Sequence, residues 1–159
     1  MLKKITLLAV LLSSGLLQAQ IDSTYYHESK KILDHFPTTK ISAVDLYSAA
    51  LEVYEVYNII VPYQLAIAQA IIETSLGNAG VGKTRNNPFS INSKKGYVNY
   101  PSMGTGVKAY YYFMATKYLQ CKTLPQLLRN FVNCNNKRYA KDKLYERKVK
   151  NKIKYLNDY

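Results

Sequence analysis

After Glu73 the chain carries no Asp or Glu until Asp142. Glu73 directly follows the run Leu65-Ala-Ile-Ala-Gln-Ala-Ile-Ile72, in which Gln69 is the one polar residue. A carboxyl group at the exit of an apolar helix is withdrawn from water, which disfavours its charged form. The last turn of a helix is also the negative end of its dipole, which acts in the same direction. Poorly ionised and far from competing anions, such a group has the character of a general acid. The residue types leave one structural alternative open, a buried ion pair between Glu73 and Arg85 or a lysine of the C-terminal region. Gln69, four residues before Glu73, falls on the same helix face and is placed to hydrogen-bond the acid or a substrate. Gly77, Gly80 and Gly82 follow and leave room for a ligand beside the carboxyl.

Other chemistry-bearing residues are sparse. Cys121 and Cys134 are the only cysteines, thirteen positions apart, and His27 and His35 lie far from them. That spacing admits either one disulfide or two buried thiols, and it offers no metal-ligand cluster. No metal or organic cofactor is expected. The chain has sixteen tyrosines and no tryptophan. Aromatic rings stack on the apolar faces of sugars while phenol hydroxyls reach their polar rims. Tyr97, Tyr100, Tyr110-Tyr-Tyr112, Tyr139 and Tyr145 are candidates to line a groove. Three consecutive tyrosines cannot share one helix face, so at least one of residues 110–112 belongs to the core.

The elements that must position these groups are mostly helical. The pattern predicts a short helix over Tyr25 to Phe36, stopped by Pro37. Ser42 and Asp45 have the spacing of a capping box, opening a helix that runs to about Asn58. Pro62 suits the first turn of the next helix, which carries Gln69 and Glu73 and is expected to close near Leu76 with Gly77 as its cap. Residues 78 to 101 are broken by Gly, Asn and Pro, and there Phe89-Ser-Ile91 and Tyr97-Val-Asn-Tyr100 alternate like two strands joined by residues 92–96. Helical periodicity returns over Thr105 to Leu119, Thr123 to Val132 and Lys141 to Leu156. There is no internal repeat, low-complexity tract or linker.

Lys3 and Lys4, the apolar run Ile5 to Leu12 and the small-residue site Leu17-Gln18-Ala19 read as an export signal over residues 1–19, cleaved after Ala19 or Gln20. The run is too short for a comfortable membrane span. Residues 20–159 then form one domain, in the periplasm or outside the cell. The formal charge is +12, falling to about +10 when Lys3 and Lys4 are removed. The excess gathers in Lys137, Arg138, Lys141, Lys143, Arg147, Lys148, Lys150, Lys152 and Lys154. Such a face steers polyanions by long-range attraction, or serves only as a solvated surface. For an exported protein the polyanions are anionic envelope polymers or lipid headgroups, not nucleic acid.

Three segments carry a family resemblance. Ala68-Gln-Ala-Ile-Ile-Glu-Thr-Ser-Leu-Gly77 and Asn86-Asn-Pro-Phe-Ser-Ile91 resemble the AQ-A-x-x-E-S-x-W-G and N-N-L-F-x-I patterns of the glucosaminidase family of peptidoglycan hydrolases. Arg138-Tyr-Ala-Lys-Asp-Lys-Leu-Tyr-Glu-Arg-Lys-Val149 is similar to that family's R-Y-A-T-D-x-x-Y-x-x-K-V segment. The matches are in order and span about residues 60 to 155. The resemblance implies a mainly α, lysozyme-like α+β fold: a helical domain with a small β-hairpin lobe after the catalytic helix. It further implies hydrolysis of β-1,4 bonds next to N-acetylglucosamine in peptidoglycan glycan strands. Glu73 falls at the catalytic acid, Tyr139 at an aromatic position of the cleft, and Asn87 and Phe89 at its floor. Thr74, Leu76 and Pro88 depart from the pattern, where Ser, an aromatic and Leu are usual.

A two-carboxylate glycosidase needs a second group about 5–5.5 Å away for retention or about 6.5–9.5 Å for inversion. The resemblance implies that this group comes from the β-lobe, where this chain has none, which leaves Asp142 or Glu146 folding back. The other solutions are attack by the substrate's own 2-acetamido oxygen, water positioned by Tyr139 or Asn87, or a lytic transglycosylase in which Glu73 is both acid and base. The expectation is an endo-β-N-acetylglucosaminidase with catalytic Glu73 and Tyr139 and substrate contacts from Gln69, Asn87, Phe89, Tyr100 and Tyr145. A 1,6-anhydro-forming transglycosylase and a non-catalytic glycan-binding or envelope-assembly protein of the same fold are the alternatives.

Overall fold

The computed structural model describes residues 24–159, so the expected export signal lies outside the described residues. Within them the order is α1 (Tyr26–Asp34), α2 (Ala43–Tyr57), α3 (Tyr63–Thr74), α4 (Gly80–Arg85), β1 (Asn92–Ser93), β2 (Gly96–Tyr97), α5 (Met103–Met114), α6 (Leu124–Leu127) and α7 (Tyr145–Leu156). A π-helical turn, Ala115–Leu119, prolongs α5. The fold is mainly helical with one small antiparallel hairpin, as the sequence pattern predicts.

Helix α2 begins at the capping box: Ser42 Oγ accepts from the Asp45 N–H at 3.0 Å, and the Ser42 N–H donates back to Asp45 Oδ2 at 3.3 Å. Helix α3 is the centre of the molecule. Leu65 through Ala70 are all inaccessible to solvent, so no face of this stretch meets water. Such a helix is stable only when covered, and α7 packs along it while α2 packs against α5. The core continues through Leu46, Val53, Phe89, Val107, Tyr110, Tyr111, Phe131 and Val149. Two of the three consecutive tyrosines are therefore buried, and Tyr112 reaches the rim, where its hydroxyl donates to Glu52 at 2.6 Å.

Three boundaries differ from expectation. Helix α3 closes at Thr74, with Ser75, Leu76 and Gly77 all left-handed (φ 51°, 58° and 86°). Leu76 N–H reaches back to the Ala70 carbonyl at 2.9 Å, which turns the Leu76 side chain into the core. The hairpin pairs Asn92 with Tyr97 and Ser93 with Gly96 around a two-residue turn, so the expected loop is itself the hairpin. The reason is Asn87, whose side chain fixes the chain on either side. Its amide donates to the Ile91 and Val98 carbonyls at 2.8 and 3.0 Å, and its oxygen accepts from the Ile91 N–H at 2.8 Å. Finally, α6 is a single capped turn, and residues 128–144 run as a loop, so α7 begins at Tyr145.

That loop is held at several points. Cys121 and Cys134 form a disulfide, and Cys134 N–H donates to the Lys117 carbonyl at 2.8 Å. Val132 and Arg138 make an isolated antiparallel bridge. Glu146 accepts from the Phe131 N–H at 2.9 Å and pairs with Arg138 at 2.8 Å. The fastened loop presents Tyr139 to the end of α3.

Candidate active site

A cleft of about 380 Å³ opens at the C-terminal end of α3, lined by Glu73, Ser90, Asn92, Tyr97, Tyr139, Ala140 and Lys141. Beyond Tyr139 it meets a second hollow of about 260 Å³, floored by Phe113 and Tyr118 and bordered by Asn133, Lys137 and Arg138. Ser90, Asn92 and Tyr139 belong to both. Among the described residues lining the cleft, Glu73 is the only carboxylate.

The end of α3 is locked in place from below. Thr74 is buried, its hydroxyl donates to the Pro88 carbonyl at 2.7 Å, and it accepts from the Gly77 N–H at 3.0 Å. Helix α4 closes on the same point through Gly82, where a Cβ would stand 2.7 Å from Thr74 Cβ and 2.8 Å from Gly77 Cα. Glu73 is thus carried on a fixed backbone, half-buried at the cleft wall. Burial pushes its carboxyl above the usual glutamate range, and the neighbouring hydroxyls of Tyr145 and Ser90 oppose that rise. The ion-pair alternative is not found among the described residues: Arg85 donates instead to the Tyr97 carbonyl at 2.8 Å.

Tyr139 lies between the two hollows. Its ring stacks on Tyr145 with centroids 5.4 Å apart, and its hydroxyl donates to the Phe89 carbonyl at 2.8 Å. A phenol has one proton, so towards a substrate or water this hydroxyl can only accept. Burial, with Tyr145 and Glu73 nearby, raises its pKa well above the ordinary phenol, so it is no base.

The expected substrate contacts divide differently. Gln69 is fully buried, accepting from Tyr110 Oη at 2.5 Å and donating to Tyr145 Oη at 2.8 Å. Phe89 is inaccessible and stacks on Tyr110 at 3.7 Å, and Asn87 is the buried tie of the hairpin base. Tyr145 is buried behind Glu73. These four form the support of the site, not its wall, because α7 and residues 86–91 cover the faces they were expected to expose. Tyr100 is half-buried outside the cleft lining, with its N–H on the Arg85 carbonyl at 2.9 Å. The wall is supplied by Ser90, Asn92, Tyr97, Ala140 and Lys141. Ser90 has φ 53°, a left-handed turn beside Phe89 that no residue type announced.

Neither candidate second acid folds back. Asp142 is tied to Lys148 at 2.6 Å and to the Leu144 N–H at 2.8 Å, contacts that lower its pKa. Partial burial acts to raise Glu146, but the Phe131 N–H and Arg138 outweigh it and hold its carboxyl low. Both are anions committed to holding the loop. No cluster of His, Cys, Asp and Glu suited to a metal ion occurs among the described residues.

The arrangement can deliver one proton to a group bound between Tyr139 and the hairpin, beside aromatic walls and a cationic rim. No curated protein matches the chain. The glucosaminidase family model, described as mannosyl-glycoprotein endo-beta-N-acetylglucosaminidase, matches residues 47–158, a span that holds the whole cleft. With α3, the hairpin and the Tyr139 loop all inside that match, the chain belongs to the glucosaminidase family, and this membership supports a glycoside hydrolase of the peptidoglycan-degrading kind.

Proposed function

We propose that the protein is an exported endo-β-N-acetylglucosaminidase that hydrolyses the β-1,4 bond after N-acetylglucosamine in peptidoglycan, with Glu73 as general acid. The observation that carries this reading is the cleft with a single carboxylate whose pKa is raised by burial. A general acid must hold its proton before giving it up, and burial acts in that direction.

One mechanism asks no second acid of the chain. Asp142 and Glu146 are engaged elsewhere, Asn87 has its side chain committed to backbone groups, and the Tyr139 hydroxyl donates to the Phe89 carbonyl. In this reading the nucleophile is the substrate's own acetamido oxygen, which needs no second carboxylate from the chain. Glu73 protonates the leaving glycosidic oxygen, which takes the electron pair of the breaking C1–O bond. The acetamido carbonyl oxygen forms a new bond to C1, giving a cyclic oxazolinium ion. Water then attacks C1, Glu73 takes its proton, and the ring C1–O bond breaks to restore the acetamide, with net retention. Lys141, exposed at the rim near Glu73, is placed to meet acidic substituents of the strand.

Fragment analysis of digested sacculi tests this reading. Products with reducing N-acetylglucosamine ends support it, and a stable thiazoline analogue of the oxazolinium ring is expected to inhibit. Anhydro ends instead indicate a transglycosylase using the same lone acid, and sacculi bound but uncut indicate a glycan-binding protein.

A further inference from the structure

Helix α3 buries one amide and brings two tyrosine hydroxyls onto it. Tyr110 from α5, Gln69 from α3 and Tyr145 from α7 form a continuous chain, with hydrogen bonds of 2.5 and 2.8 Å, and all three side chains are essentially inaccessible to solvent. Buried polar groups of this kind weaken a core unless every one is satisfied, so the direction of each bond can be worked out.

Tyr110 Oη has no other partner among the described residues, so its proton must go to Gln69 Oε1. The amide nitrogen then faces Tyr145 Oη and donates to it. With its oxygen already accepting, Tyr145 must point its own proton elsewhere. Gln69 and Glu73 are four residues apart on one helix face, so a hydroxyl seated on Gln69 is adjacent to Glu73. If the amide were turned over, Oε1 would take the Tyr145 proton and the Tyr110 proton would have no acceptor in the core. The orientation in the structure is the one that satisfies every buried proton.

We infer that Gln69, fixed by Tyr110, is a positioning residue that directs the Tyr145 hydroxyl proton onto the Glu73 carboxylate. Tyr145 therefore reaches the acid from the core side, while Ser90 lies on the cleft side. One-way donation holds the carboxyl plane and supports the anion left when the proton departs. The other groups facing Glu73 are Tyr110 of α5, Tyr139 of the loop, Tyr97 of β2 and Lys141 at the rim. The consequence for glycan cleavage rests on the proposed function, but the proton arrangement does not.

The test is a carbon-13 NMR titration of the Glu73 carboxyl in the folded protein, which needs no catalysis. Removing a donor to the anion raises the pKa, so Tyr145→Phe is expected to shift the midpoint upward. Gln69→Leu should shift it upward by less, and Tyr110→Phe, which frees the amide to turn over, in the same direction. Gln69→Leu added to Tyr145→Phe should move the midpoint no further, because Gln69 acts only through that hydroxyl. Should Gln69→Leu fail to fold, Tyr110→Phe with and without Tyr145→Phe gives the same cycle. An unmoved midpoint in the Gln69 or Tyr110 variants, or an equal shift with Tyr145 already removed, overturns the inference. In an active enzyme the alkaline limb of kcat/KM moves with the midpoint. If wild type cuts no glycan while the NMR shifts appear, the functional reading fails and the relay stands.

Discussion

Burial, not a charged partner, raises the Glu73 pKa, and this has a cost in stability that can be measured. In the unfolded chain a glutamate titrates at about 4.3, and in the fold Glu73 titrates higher. Below the unfolded pKa both states are neutral and the residue is indifferent. As pH rises through the folded pKa, the native state must hold a poorly solvated charge and loses stability. Glu73→Gln is therefore expected to raise Tm at pH 7 and to leave it unchanged at pH 3. Thermal unfolding at the two pH values checks this, and an equal gain at both would assign the effect to packing. The isolation of Glu73 at the end of an apolar run is readable from residue types alone. The roles of Gln69, Asn87 and Phe89 are not, because spacing gives a helix face but not what covers it. Here α7 covers Gln69, and the hairpin base closes over Asn87.

At the scale of elements, the turn from α3 to α4 sets where the acid stands. Two non-glycine residues there, Ser75 and Leu76, are left-handed, a conformation costing of order 1–3 kcal/mol each. Thr74 holds the turn through its hydroxyl, so Thr74→Val leaves the Gly77 N–H and the Pro88 carbonyl without a buried partner. A loss of about 1–3 kcal/mol is expected in urea unfolding, together with reduced glycan cleavage. Thr74→Ser, which keeps the hydroxyl, should retain most of both, and similar losses in the two variants would place the effect in the methyl group. The capping box of Ser42 and Asp45 and the Pro62 start were legible because they are local. The hairpin register was not, because it is imposed by Asn87 from several residues away, and Lys94–Lys95 form the turn where alternation pointed to a longer loop. The expected helix over Thr123 to Val132 ends after one turn, since Phe131 and Val132 are drawn into contacts with Glu146 and Arg138.

In the molecule as a whole, the cleft is closed on one side by a loop with little regular structure, and its disulfide is the strongest constraint on that loop. Closing thirteen residues contributes about 3 kcal/mol by the loop-entropy argument. The double Cys121→Ser, Cys134→Ser variant is expected to lose roughly that much in denaturant unfolding, and no loss would show the loop is held by Arg138 and Glu146 alone. Helix α7 buries Tyr145, Val149 and Leu156 and turns Arg147, Lys148, Lys150 and Lys154 outward. Replacing Lys150 and Lys154 with Glu should weaken binding to anionic sacculi at low salt, converge with wild type at high salt, and leave cleavage of short soluble glycans unchanged. Salt-independent binding in both proteins would assign that face to solubility only. Whether the one carboxyl at the end of α3 gives the cleft its chemistry is decided by incubating purified sacculi with wild type and Glu73→Gln and quantifying released fragments. Wild type is expected to cleave, leaving N-acetylglucosamine reducing ends, and the folded variant to lose about 10²–10⁴-fold. Equal release by the two proteins, or none by either, would contradict this role of Glu73.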